Sequence, residues 1–218
     1  IAGNHDYIAN SSIYRQFSWC PQVTFLQDTQ LQKIRFPRLH VTIYGRSYHS
    51  REDREPLYTP VPLEPEDDIH ILPAHGGDAS HRPYNRNQLA QAGFHYVALG
   101  HIHKPDMDFS DGIVNPGSLE PIEPNDYGPH GFAIAEVTRE QTKVWWIPFA
   151  SAEYVPMEFR VQSSTTSMIL TETIRKAIRQ KGEHNIFKIR LTGSKDPDIQ
   201  FGQAFSGAVP AALLSPEL

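Results

Sequence analysis

Three short apolar segments each run into a turn that pairs histidine with glycine, and this repetition most constrains the fold. Ile1-Ala2 leads into Gly3-Asn4-His5-Asp6. Ile69–Leu72 leads into Pro73-Ala74-His75-Gly76-Gly77, and Tyr96–Leu99 into Gly100-His101-Ile102-His103. Read as strands, these segments imply a sheet that presents one histidine-bearing loop after another from its edge. Loops at strand ends are where a rigid sheet displays functional groups, and glycine lets backbone approach a ligand closely.

The remaining apolar runs fit the same plan. Val23–Leu26, Ile34–Phe36, Leu39–Tyr44, Ile113–Val114, Gly131–Val137 and Lys143–Ile147 read as further strands, and Asn87–Gly93 as a short helix. The charged, proline-rich stretch Ser47–Asp68 reads as a long surface loop. Beyond residue 150 the texture changes. Tyr154–Val161 is a strand candidate. Leu170, Ile174, Ala177 and Ile178 repeat at helical spacing after the N-cap candidates of 163–167, and Gly182 is a natural stop. Phe187, Ile189 and Leu191 alternate with polar residues as in a half-buried strand. The reading is a mixed α/β protein with one or two sheets, followed by a small β-α-β domain. The tail from 206 to 218 is too short to pack alone, and is expected to mark where a longer chain continues.

The 218 residues are 39% hydrophobic and 21% charged, as expected of a folded globular chain. No apolar run is long enough to cross a bilayer, so no membrane association is expected. A single cysteine, Cys20, excludes an intramolecular disulfide and a thiolate-cluster metal site. It is expected to be a small core residue, and such sparing cysteine use suits the cytoplasm. The net charge of −5 gives no global attraction to nucleic acid, so any polyanion must be held by a local patch or by bound metal.

The 11 histidines bear on the chemistry. In an extended chain, residues two apart point the same way, so His101 and His103 would reach one ion or two neighbouring ions. Asn4 offers an amide oxygen and His75 another imidazole. Nitrogen and oxygen donors without sulfur suit manganese, iron, zinc or a similar divalent ion. Asp6 would orient a neighbouring histidine. Taken singly, a His-x-His is more often a surface or packed pair, and a Gly-Asn-His-Asp an ordinary turn. Three such turns, each after a strand and beside glycine, favour a metal site.

In this order, GNHD, a histidine before glycine and GHIH resemble the calcineurin-like metallophosphoesterase superfamily. The stretches VTIYGRSY, HGGDASHRPYNRNQLAQAGFHYVALGHIHKP and IVNPGSLEPIEPNDYGPHGF resemble its SbcD-like DNA repair exonuclease branch. The resemblance implies an α/β two-sheet sandwich flanked by helices over residues 1–149, and a small α+β capping domain over 150–218 that would guide DNA. It implies two divalent ions, with manganese the first expectation and magnesium, iron and zinc the others. Asn4, His75 and His101 would ligate one ion and His103 the second. His5 would bind no metal but sit beside the scissile phosphate, stabilising charge and protonating the leaving oxygen. The implied activity is two-metal phosphodiester hydrolysis at DNA ends. The implied partners are DNA and an SMC-type, SbcC-like ATPase subunit, and a homodimer is among the assemblies it allows.

The family pattern also carries D-x-H and G-D-x-x-D before GNHD, whereas only Ile1 and Ala2 precede it here. The expectation is an internal fragment that enters the domain at the end of a strand, binds at most one ion weakly and cleaves little alone. Two other readings stand beside the nuclease: a phosphoesterase for small nucleotides or phosphoproteins, and a non-catalytic scaffold with a degenerate site. His81 is a candidate contact to a substrate phosphate or base, set against an ordinary loop histidine. Asn115–Ser118 reads on its chemistry as a plain Pro-Gly turn. Arg175, Lys176, Arg179 and Lys181 read as a solvated helix face before they read as a DNA path, and Trp145 and Trp146 as core and partial surface.

Overall fold

The computed structural model describes residues 1–194 and the backbone of 212–216. It has mixed α/β architecture with few helices, in two compact units. The first comprises 1–118 with 131–147, and the second 119–130 with 148–218. The sequence puts one boundary after residue 149; in the structure the segment 119–130 packs with the second unit.

The first unit is built on a five-stranded sheet in the order β1-β2-β3-β4-β5: Gln32–Phe36, Val41–Gly45, Ile69–His75, Tyr96–Gly100 and Ile113–Val114. β1 pairs antiparallel with β2, and the other neighbours are parallel. Parallel neighbours need crossovers, and here these are loops with one short helix, α2, Arg86–Ala90, capped by Asn85. β3 alternates strictly between half-buried and buried positions, with His70, Leu72 and Ala74 inward. Tyr44, Leu57, Leu72, Leu89, Val97, Leu99 and Ile113 form the core. β6 (Gly131–Val137) and β7 (Thr142–Pro148) form a separate two-stranded sheet.

Several expectations are corrected. Val23–Leu26 forms no strand. An unforeseen short helix, α1, spans Ile13–Gln16 and is capped by the Ser12 side chain. The loop 47–68 is no plain surface loop: it buries Tyr48 and Leu57, and ends on buried Asp68, held by Arg35 and Thr42. Cys20 is exposed, not a core residue.

In the second unit, β8 (Tyr154–Val161) and β9 (Ile186–Gly193) pair in parallel across helix α3 (Ser167–Lys181), capped by Thr166. Leu170, Ile174 and Ile178 of α3 pack on Met157, Val161, Phe187, Ile189 and Leu191. The basic residues of α3 are exposed, and Arg175 pairs with Glu172 at 3.0 Å within the helix. The tail is not wholly unpaired: β10 (Ala212–Pro216) joins β9 in parallel, while 206–211 and 217–218 lie outside the described residues. The 119–130 segment is tied to this sheet by Lys188 Nζ donating to Asn125 Oδ1 at 2.8 Å, and by a bridge between Tyr127 and Tyr154. Among the described residues no helix is long and apolar enough to cross a membrane.

Candidate metal centre

The register of the central sheet brings two of the three histidine turns together. His75 is the last residue of β3 and lies opposite Gly100, the last of β4. Gly76 N–H donates to Gly100 O at 3.1 Å, which carries both chains out of the sheet side by side. The His75 and His101 rings stand 5.1 Å apart, edge to face.

The first turn reaches the same place by another route. Ile1-Ala2 is not a strand, contrary to the sequence reading. It is pinned by hydrogen bonds to the loop after β2. Ala2 N–H donates to Ser47 Oγ at 2.9 Å, and Tyr48 N–H to Ala2 O at 3.2 Å. Buried Asn4 then places Oδ1 2.8 Å from His75 Nε2, a contact spanning 71 residues of sequence. Gly3 is required here, since a β-carbon would come within 2.8 Å of the His75 ring. His5, next in the chain, is exposed. Asp6 contacts no histidine by hydrogen bond, as the sequence suggested it would; it accepts from Gly3 N–H at 2.7 Å and from the Tyr14 hydroxyl, closing the turn.

Asp78 is the residue that sequence reasoning missed. Its carboxylate accepts from His101 Nε2 at 2.7 Å and lies 2.9 Å from His81 Nδ1. Ligand atoms of Asp78, His81 and His101 all fall within 4.8 Å of one another, an arrangement able to hold a metal ion. His81 therefore belongs to the cluster, its ring 4.6 Å from that of His101. The available signal was the D-x-x-H spacing in HGGDASH. An aspartate that caps its own turn, as Asp78 does by accepting from Ser80 and His81 N–H, also aims its carboxylate across that turn.

The GHIH loop departs from the expected extended chain. His101 sits outside β4 with φ of 107°, so two-residue alternation does not govern where His101 and His103 point. Such backbone is costly, and concentrates at functional sites. The turn Asn115–Ser118 packs on this loop, with Ser118 N–H donating to His103 O at 2.8 Å. Trp146 Nε1–H donates to Pro116 O at 3.0 Å from behind. The turn is thus a support for the His103 segment and not a plain surface turn.

The electrostatics suit a cation. Burial, reinforced by His101, pulls the His75 pKa down to about 4, so its imidazole is neutral near pH 7, the form that ligates metal. Hydrogen bonds from His101, and secondarily His81, hold the Asp78 carboxyl well below its usual range, so it is anionic. The donors are imidazole nitrogens, an amide oxygen and a carboxylate, a set matching hard to borderline divalent ions. Asn4, His75 and His101 would hold such an ion, with Asp78 adding negative charge beside it. Bound there, the ion would polarise a phosphoryl oxygen and lower the pKa of bound water.

No protein-family profile matches the chain. It is similar to an uncharacterized metallophosphoesterase, YhaO, of Bacillus subtilis strain 168, at 27% identity over 205 residues. That alignment covers 89% of this chain and 48% of the relative, so the chain spans about half the length of the curated relative it matches. The similarity supports the metallophosphoesterase resemblance, and the α/β fold is compatible with it.

Proposed function

We propose that the chain carries the metal-binding centre of a metal-dependent phosphodiesterase that acts on DNA ends. The observation that carries this is the convergence of Asn4, His75 and His101 from turns far apart in sequence. Asn4, His75 and His101 would ligate one divalent ion, manganese first. His103 would ligate a second. His5, exposed beside buried Asn4, is free to meet a phosphate and transfer a proton to the leaving oxygen, a contribution of roughly 10²–10⁴-fold. An SMC-type ATPase subunit is the proposed partner, and the second unit would guide the strand. Similarity to YhaO supports the phosphoesterase part of this reading; the choice of DNA rests on the longer sequence resemblance.

The test uses the product of the whole reading frame that contains this chain. Manganese-dependent release of nucleotides from a 3′-ended duplex, abolished in His75→Ala and lowered at least a hundredfold in His5→Ala, is the expected result. Hydrolysis of p-nitrophenyl esters with none of DNA would replace the nuclease by a small-substrate phosphoesterase. No metal-dependent hydrolysis of either would leave a scaffold.

A further inference from the structure

Immediately after the GNHD turn, four aromatic side chains gather on the surface of the first unit. Tyr14 and Phe25 rings lie 4.4 Å apart, and Trp19 stacks within 5.8 Å of Phe25 and 6.0 Å of Tyr14. Phe17 meets Trp19 edge-on at 5.0 Å. Phe25 and Tyr14 are half-buried and form the floor, whereas Phe17 is 57% and Trp19 39% exposed. Two open rings on an aromatic floor thus form a contiguous apolar face on the surface.

The cluster is held in place. Trp19 Nε1–H donates to Tyr14 O at 3.3 Å, which fixes the indole against α1. The Tyr14 hydroxyl donates to Asp6, the residue next to His5. That hydrogen bond raises the Tyr14 pKa to about 12, so the phenol stays protonated and the tie holds across the physiological range. The platform is therefore continuous with the turn that would meet the scissile phosphate. Exposed Arg15, between Tyr14 and Gln16, adds a cation to the same helix.

Exposed aromatic faces on a segment that also carries a cation match the needs of an unpaired nucleotide: a ring to stack on and a partner for its phosphate. A base inside a duplex has no free face to offer and the pair at its end has one, whereas an unpaired base can be reached on both. A peptide or a lipid would make no use of the tie to the GNHD turn. We propose that Trp19 and Phe17 form a stacking platform for an unpaired base of the strand entering the candidate centre, with Arg15 meeting the backbone phosphate. This rests on the phosphodiesterase reading above, and adds that the strand is single where it enters.

The test measures binding in chelator, without hydrolysis, so the two readings fail separately. Fluorescence anisotropy of a labelled oligo(dT) octamer is titrated with the purified protein, and with an octamer of abasic sites of equal charge as the comparison. Trp19→Ala is expected to weaken oligo(dT) binding about 5- to 150-fold, the range for losing one base–aromatic stack. Trp19→Phe should restore most of it, which a merely unfolded variant would not allow. Trp145→Ala is expected to bind as wild type. No binding of oligo(dT), equal affinity for the abasic strand, or unchanged affinity in Trp19→Ala would each overturn the platform. Stacking without metal-dependent hydrolysis would keep the platform and remove the enzyme reading.

Discussion

Arg82→Gln should be among the most damaging single substitutions in the first unit. The Arg82 side chain is 3% exposed and its backbone adopts φ of 46°. Its Nε donates to Asp53 at 2.6 Å, and its two terminal nitrogens donate to Arg46 O at 3.1 Å and Ser47 O at 2.8 Å. The guanidinium also lies 4.1 Å from the centre of the Tyr48 ring. A charged hydrogen bond contributes about 1.5–3 kcal/mol, each carbonyl bond about 1 kcal/mol and the ring contact about 1 kcal/mol. Glutamine keeps one carbonyl contact at most. The net loss is then about 3–5 kcal/mol, the range for stripping one partner from a buried ion pair. In a chain of this size that lowers the midpoint of thermal unfolding by about 6–20 °C. Urea unfolding followed by circular dichroism, with Asp53→Asn and the double variant, closes the cycle. The double variant should cost less than the sum of the two singles, because neither buried group is left alone. A loss below about 1 kcal/mol in Arg82→Gln, or strict additivity, would refute the clamp.

Three further outcomes follow from the geometry. Asp78→Asn should weaken manganese binding by about 10- to 100-fold in isothermal titration, as loss of a ligand-orienting carboxylate typically does; unchanged affinity would detach Asp78 from the centre. Gly117→Ala should destabilise by at least about 1–3 kcal/mol, since φ is 76° there and a β-carbon would lie 2.5 Å from His103 O; a wild-type midpoint in a thermal melt would contradict that packing. Asp68, whose pKa is pulled down to about 2 chiefly by Arg35, is depressed in the folded state. Its contribution is therefore complete above the unfolded value near 4, and is lost as pH falls from about 4 towards 2. The acid limb of a stability-against-pH curve should flatten over that window in Asp68→Asn, and an unaltered limb would exclude this role.

The regular elements were legible because their periodicity was undiluted. Phe187, Ile189 and Leu191 alternate through β9, and Leu170, Ile174 and Ile178 keep one face of α3. Val23–Leu26 has strand-like composition, yet only Leu26 is buried and no neighbouring strand pairs with it. Composition proposes a strand, but a ladder partner makes one. Asn4, His75 and His101 were legible as neighbours from motif order. Asp78 was not, because an aspartate in a turn has a sufficient local reason to be there. The role of loop 47–68 was hidden by its charge and proline content, which mask the buried Tyr48 and Leu57.

That loop explains how an irregular segment can hold a candidate ligand in place without a ladder. His75 and His101 inherit their positions from paired strands, whereas Asn4 has no ladder behind it. Ala2 is instead clipped to Ser47 and Tyr48, and Ser47 O is in turn held by Arg82. Arg82 follows His81, whose ring lies beside that of His101 and whose Nδ1 meets Asp78. The two halves of the centre, Asn4 with His75 and Asp78 with His81 and His101, are thereby joined through one buried cation. A substitution at Arg82 should then lower metal affinity as well as stability, although its guanidinium donates its hydrogen bonds to Asp53, Arg46 O and Ser47 O and not to the candidate ligands. Destabilisation through a core residue that takes no part in this chain of contacts, such as Ile174 in the second unit, should leave metal affinity intact in the fraction still folded. Comparing manganese affinity in Arg82→Gln and Ile174→Ala at matched loss of stability separates a clamp that positions ligands from one that merely holds the fold.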